Sequence, residues 1–294
     1  VIFEGDVVDG RYRVVEEAGQ GSMGHVYRAV DLETHAEVAL KRVKDRFNES
    51  TSLFKAKWAE FERESSTAER LRNIPGIPEY LDAGTWNNSA YYVMSLVDGR
   101  TLDSFLDANP LLSTEEIAAL GTALGQILAA VHRKRLVHCD VNPSNIMIGD
   151  DAAVYLLDLG ITHETGNRTV RFATRGYAPV EQVRADVVNP LIDIYALGCT
   201  LIKAQTGEVP YDAKLHWNVE AEAHQVPEPI RERIEPPLRP LLTSMVQRDC
   251  TQRPQSINEV VERLAPLLPE PSSLPHPLAA RPDLTAKHRQ SAQL

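Results

Sequence analysis

Cysteine is scarce in this chain of 294 residues. Cys139, Cys199 and Cys250 are odd in number, far apart, and without a paired metal-ligand spacing. That excludes a disulfide framework and a sulfur-bound zinc site. It leaves three small buried apolar side chains in a reducing compartment. No run of about 18 apolar residues occurs, so no transmembrane helix is expected. No signal-peptide pattern opens the sequence, and a cytoplasmic protein without membrane insertion is expected. Excess basic charge is also missing: a net charge of −10 argues against nucleic acid or an anionic membrane as the main partner. No internal repeat is visible. The composition that remains, 43% hydrophobic and 24% charged, is that of an ordinary globular protein long enough for two cores.

The first 94 or so residues carry short β-rich runs around one helical stretch. Arg13-Val14-Val15, Val26 to Val30 and Glu37 to Val43 are bounded by Gly or acidic turns. Helix formers fill residues 53 to 71 until Asn73, Pro75 and Gly76 stop them. Tyr80 to Gly84 and Tyr91 to Met94 add two more strands around an Asn87-Asn88 turn. From Thr101 the pattern turns helical. Ser113 with Glu116 is a capping box that opens a helix with Ile117, Leu120, Leu124, Ile127, Leu128 and Val131 on one face. Ser256 with Glu259 forms a second box, opening a last helix with Ile257, Val260, Val261 and Leu264 inward. The prolines that follow (266, 269, 271, 275, 277 and 282) suit neither helix nor central strand. Residues 269–294 are therefore expected to be a disordered, Pro-rich tail.

The most specific chemistry lies in His138-Cys139-Asp140-Val141-Asn142-Pro143-Ser144-Asn145. An Asp can accept a proton from an attacking hydroxyl, and an Asn five residues on can offer an oxygen to a metal ion. Alone, this pattern suits an Asx- and Pro-stabilised turn equally well. It is accompanied, in order, by Gly19-Gln20-Gly21-Ser22-Met23-Gly24, Val38-Ala39-Leu40-Lys41, Glu64, Asp158-Leu159-Gly160, Gly176 to Glu181, Asp193 to Gly198, and Arg253-Pro254. With this series the chain resembles the eukaryotic-type (Hanks-type) protein kinase family, most closely its bacterial serine/threonine branch, over residues 9–268.

The resemblance implies an α+β, two-lobed fold: a small β-rich N-lobe with one helix, about 9–97, and a larger, mainly helical C-lobe, about 98–268. It implies ATP with magnesium, or manganese, as cofactors, and protein substrates carrying Ser or Thr, with autophosphorylation among the outcomes. Gly19, Gln20, Gly21, Ser22, Met23 and Gly24 would cover the phosphates. Val26, Ala39 and Met147 would sandwich the adenine, beside Met94, Ser95 and Leu96. Lys41 would hold the α- and β-phosphates and pair with Glu64. Glu60 and Glu62 are rivals to Glu64, which helix phase selects if Phe61, Ala68 and Leu71 face the core. Asp140 would orient the acceptor hydroxyl, with Thr174 against it. Asn145 and Asp158 would hold the metal. Glu181 and Arg253 would form a buried ion pair, and Asp193 would cap the catalytic-loop backbone.

Two positions depart from the family pattern. Cys139 stands where an Arg usually binds a phosphorylated activation segment, which leaves Thr162, Thr165 and Thr169 without the usual receptor. Asn142 stands where a Lys usually neutralises the transferring phosphoryl group, and Ser144 offers no cation either. Losing that cation would cost a few kcal/mol of transition-state stabilisation, roughly tenfold to a thousandfold in rate. Arg171 and Arg175 are the candidates to replace it. Three readings therefore stand: an active serine/threonine protein kinase in which Asn142 belongs to the catalytic set, a nucleotide-binding pseudokinase, and a small-molecule phosphotransferase.

Overall fold

The computed structural model describes residues 2–20, 24–43, 51–87, 89–108, 111–159, 162–167, 174–211 and 226–268, with backbone only for Gln20, Val43 and 51–60. The expected Pro-rich tail, 269–294, lies outside these residues. The chain divides into two compact units, one running to Val97 and one from Asp98 onward. The fold is α+β.

The first unit is one antiparallel sheet of six strands in the order β1-β2-β3-β4-β6-β5. The strands are β1 Val7–Val8, β2 Tyr12–Gln20, β3 Gly24–Asp31, β4 Glu37–Val43, β5 Tyr80–Trp86 and β6 Ser89–Ser95. Side chains alternate across a strand, and the burial follows that period. Val38 and Leu40 join Tyr12, Val14, Tyr27, Tyr91 and Val93 in a core on one face. Ala39, Lys41 and Tyr92 therefore point to the other face, where Tyr92 packs with Phe61, Ala90 and Tyr80. β2 runs five residues past the Val15 end of the expected run, through Glu16 and Glu17. Bulges at Val14/Glu16 and Glu17/Gly19 break its alternation, which is why the sequence pattern stops short.

Helix α1, Thr51–Arg70, covers the Tyr92 face. Phe61, Glu64, Ala68 and Leu71 are all buried. This is the stripe at three- and four-residue spacing that the helix-phase argument required. Asn73 and Gly76, both at positive φ, end the segment.

The second unit is mainly helical: α2 Leu102–Ala108, α3 Thr114–Arg133, α4 Val180–Val183, α5 Leu191–Thr206, α6 Glu228–Arg233, α7 Arg239–Met245 and α8 Ile257–Leu264. A small sheet joins β7 Gly99–Thr101, β9 Ile146–Gly149 and β10 Val154–Leu156, and β8 Leu136–Val137 pairs with β11 His163–Glu164. The Ser113 capping box closes in both directions: Ser113 Oγ accepts from Glu116 N at 3.2 Å, and Glu116 Oε2 accepts from Ser113 N at 2.8 Å. The second box is one-sided. Ser256 Oγ accepts from Glu259 N, but the Glu259 carboxylate turns to the N–H of Gln255 at 2.9 Å. The apolar face of α3 is buried as expected. In α8, Ile257, Val260 and Leu264 are buried while Val261 is half-buried against Gly125 of α3.

α5 is buried along nearly its whole length and packs on α3 and α7. Gly198 permits that approach: a Cβ there would lie 2.7 Å from Met245 Cβ and 2.9 Å from Val246 Cγ1. Alanine is the better helix former by about 1 kcal/mol, while forcing an atom into a packed interface costs about 1–3 kcal/mol. Met245 Cβ is fixed to its own backbone and cannot swing away, so the second effect wins. Gly198→Ala is expected to lower the midpoint of urea unfolding at unchanged m-value. A midpoint equal to or above the wild type would mean that α5 and α7 separate at no cost.

Candidate active site

The first unit holds a buried ion pair. Lys41 lies opposite Val26 on β3 and Tyr92 on β6. Its Nζ is 2.6 Å from Glu64 Oε1, with the two side chains only 10% and 5% exposed. The Tyr92 hydroxyl donates to the same Glu64 oxygen at 2.9 Å, and Lys41 Nζ sits 5.8 Å from the Tyr92 ring centroid. A carboxylate this deep needs such donors; removing one partner of a buried pair costs about 3–5 kcal/mol. Ala39 is opposite Met94, so Val26, Ala39, Lys41 and Met94 share one face of the sheet. Ser95 is held at the end of β6 by reciprocal bonds with Glu79, and half-buried Leu96 follows. Of the glycine loop, Gly19 and Gln20 end β2 and Gly24 opens β3, while Gly21, Ser22 and Met23 lie outside the described residues.

The second unit holds the Asp140 carboxylate in a hydrogen-bonded loop. Thr174 Oγ1 donates to Asp140 Oδ1 at 2.6 Å, and Asn145 Nδ2 donates to Asp140 Oδ2 at 2.7 Å and to the Asp140 carbonyl at 3.0 Å. Asn142 is buried. Its Nδ2 donates to the Asp140 carbonyl at 3.1 Å, and its Oδ1 accepts from Ser144 N at 3.0 Å, capping the short 3-10 turn Pro143–Asn145. The Asx turn expected of the motif is formed, and Asp140 and Asn145 are hydrogen-bonded to each other within it.

Asp193 anchors this loop from α5. Fully buried, it accepts from His138 N at 2.9 Å, Cys139 N at 2.8 Å and His132 Nε2 at 2.8 Å. Burial works against its charge, but the His132 ring and the His138 N–H outweigh it and hold the carboxyl below its usual range. His138 is also buried. Its Nε2 faces the Leu157 carbonyl, which can only accept, and its Nδ1 faces the Asp140 N–H, which can only donate. The ring proton is therefore on Nε2. Cys139 takes a positive φ of 67° and is buried. Burial, then the charges of Asp193 and Asp140, push its thiol well above the usual range, so it stays protonated and unreactive.

The metal candidates sit at one end of the β9–β10 hairpin. Ile146 pairs with Leu156, and Leu157 N donates to the Asn145 carbonyl at 2.7 Å, which brings Asp158 next in line. Asn145 spends its amino group on Asp140, so its Oδ1 accepts no hydrogen bond among the described residues. A neutral amide oxygen and a carboxylate are the donor types that suit a hard divalent cation. Asp158 holds a positive φ of 57°, and Leu159 after it is buried. Met147 lies on β9, half-buried.

The ion pair expected across the unit is formed. Arg253 Nη1 is 2.6 Å from Glu181 Oε1, and the Arg253 side chain is fully buried. It also donates to the carbonyls of Leu191, Gln247 and Arg248 and stacks over Tyr195 at 4.8 Å. Of the activation-segment threonines, Thr162 is buried, Thr165 N donates to the Arg135 carbonyl, and Thr169 lies outside the described residues. Arg171 lies outside them as well, and Arg175 is exposed. Three contributors escaped the sequence reading: Tyr92, His132 and Gln182, whose Nε2 donates to the Cys139 carbonyl at 2.7 Å. Strand alternation would have placed Tyr92 beside Lys41 once the β4–β6 register was known; the other two carry no motif.

Comparison with known proteins gives the family. Residues 12–264 match the family model of the protein kinase domain. A probable serine/threonine-protein kinase of Clostridium acetobutylicum is 30% identical over 271 residues, 89% of this chain and 40% of its own length. Serine/threonine-protein kinase PrkC of Bacillus subtilis is 27% identical over 88% of this chain and 40% of its own. Serine/threonine-protein kinase PknL of Mycobacterium tuberculosis is 32% identical over 71% and 52%. The chain thus spans about two fifths to one half of the length of these relatives. The matched model covers both units and every motif described above, and the chain belongs to the protein kinase family, on the side of its bacterial serine/threonine members.

Proposed function

We propose that this chain is an ATP-dependent protein kinase that transfers the γ-phosphoryl group to Ser or Thr hydroxyls of protein substrates. The observation that carries the reading is the Asp140 carboxylate, with one oxygen fixed by an amide and the other accepting a hydroxyl at 2.6 Å. That is the geometry a general base needs to orient an attacking hydroxyl and take its proton. ATP, bound with a divalent cation, would supply the phosphoryl group. Asn145 and Asp158 would hold the cation, magnesium before manganese. Lys41, kept in place by Glu64, would hold phosphate oxygens, since an ammonium can serve a carboxylate and a phosphate together. Val26, Ala39 and Met94, on one face of the first unit's sheet, would offer apolar surface for the base. The three unpaired cysteines support a reducing, cytoplasmic setting for this domain, and no helix among the described residues is long and apolar enough to cross a membrane.

A nucleotide-binding pseudokinase is the second reading, favoured by one observation: neither Asn142 nor Ser144 supplies a cation. A small-molecule phosphotransferase has less support, because the Glu181–Arg253 pair and the named relatives both point to protein kinases.

Nucleotide binding and chemistry separate experimentally. Mg-ATP is expected to raise the melting temperature, since a ligand at 100 times its Kd stabilises by about 2.7 kcal/mol. Lys41→Ala and Asp158→Ala should each shrink that shift, measured over the variant's own ligand-free value. Asp140→Asn should keep the shift and lose transfer of labelled phosphate. No shift with any nucleotide and either cation would remove both leading readings, while a shift without transfer in the wild type would leave the pseudokinase.

Activation should not run through Cys139, a buried thiol rather than a phosphate receptor. Replacing Thr165 and Thr169 by Ala is expected to leave most of the steady-state rate. Thr162 is left intact because its burial would confound the result with packing. A fall to the level of Asp140→Asn would show that another basic group reads a phosphate there.

A further inference from the structure

We infer that Asn142 is a positioning residue for Asp140: its amide bridges the Asp140 carbonyl and the Ser144 N–H and so sets the direction in which the Asp140 carboxylate leaves the loop. The inference rests on the phosphotransfer reading above.

Four observations carry it. Asn142 is 4% exposed, so it is packed into its own loop rather than presented to a ligand. Both ends of its amide are occupied, and their chemistry fixes which end is which. The Asp140 carbonyl can only accept and the Ser144 N–H can only donate, so Nδ2 faces the first and Oδ1 the second. The Asp140 carbonyl has two lone pairs, and Asn142 and Asn145 each direct an N–H to it, at 3.1 and 3.0 Å. Finally, the same Asn145 amino group reaches Asp140 Oδ2, while Thr174 holds Oδ1. Asn145 and Thr174 thus set the rotation of the carboxylate, and Asn142 with Asn145 sets the peptide plane from which it projects.

A side chain that only capped the turn would need its acceptor alone. The donor toward Asp140 is the additional feature, and the two can be separated. Serine is a competent cap for the Ser144 N–H, but its single short hydroxyl cannot also donate to the Asp140 carbonyl. Alanine does neither.

The experiment uses the purified chain, labelled ATP with magnesium, and casein as a Ser/Thr acceptor, with melting temperatures measured in parallel. Asn142→Ser should keep a melting temperature close to the wild type while kcat falls about fivefold to tenfold, the factor expected for one lost hydrogen bond, at unchanged KM for ATP. Asn142→Ala should show the same fall in kcat together with a lower melting temperature. The inference is overturned if Asn142→Ser keeps the wild-type kcat, which would make Asn142 a cap and nothing more. It is overturned equally if KM for ATP rises while kcat holds, which would place the side chain on the nucleotide. A wild type no faster than Asp140→Asn would instead remove the phosphotransfer reading, and this inference with it.

Discussion

The Asp193 carboxylate is the constraint on which the second unit's chemistry depends. A charge in so dry a place is tolerable only if both oxygens find donors. Asp193 finds three, and two of them are successive backbone N–H groups, His138 and Cys139. Two adjacent N–H groups can converge on one carboxylate only when the chain between them turns sharply, and Cys139 is accordingly in the left-handed region at φ 67°. A non-glycine residue there is strained by about 1–2 kcal/mol, and the buried ion supplies the compensation. Asp140 is the next residue. Its orientation therefore follows from a buried carboxylate on α5, before any contact made by its own side chain is considered.

The remaining backbone groups of this loop are tied in the same manner. Gln182 takes the Cys139 carbonyl, Asn142 and Asn145 take that of Asp140, and the His138 ring receives the Asp140 N–H. Gln182 lies one residue after Glu181, which Arg253 holds. The Glu181–Arg253 pair is thus connected to the 138–145 loop through the Gln182 side chain, although Gln182 and Cys139 are more than forty residues apart in sequence. An irregular segment buried without such partners would leave polar groups unsatisfied at about 1–3 kcal/mol each. The irregular backbone of this loop is held at His138, Cys139, Asp140, Asn142, Ser144 and Asn145 by such partners.

Much of this was legible in the sequence, and the reason is period and spacing. Alternation on β4 puts Lys41 and Ala39 on one face, and helix phase on α1 picks Glu64 over Glu60 and Glu62. Both are local rules that a single chain obeys residue by residue. Local order failed where neighbours on other elements decide. The bulges of β2 depend on its pairing with β3, and the Glu259 side chain chooses Gln255 over the cap residue. Tyr92, His132 and Gln182 contribute through register and helix packing, which no spacing rule encodes. The two-residue strands β1, β8 and β11 are too short to show a period at all.

The two departures from the family pattern change meaning once the contacts are known. Read as a sequence, Cys139 and Asn142 are losses: a phosphate receptor gone and a catalytic cation gone. In the structure neither position is vacant. Cys139 is a small buried side chain whose thiol donates to the Val137 carbonyl, at a turn where a long charged side chain would need a route out of the interior. Asn142 spends both ends of its amide on the loop. A lysine at position 142 would bring a charge toward a transferring phosphoryl group, but it has no acceptor for the Ser144 N–H and would give up the bond to Asp140 as a short, fixed side chain makes it. The substitution that restores the family residue therefore alters two quantities with opposite effects: electrostatic stabilisation, which rises, and the placement of the Asp140 carboxylate, which loosens. Since a buried hydrogen bond and a cation at partial solvent exposure are each of order 1–3 kcal/mol, neither dominates on principle. The residue at 142 and the way Asp140 is held have to be understood as one feature of this loop.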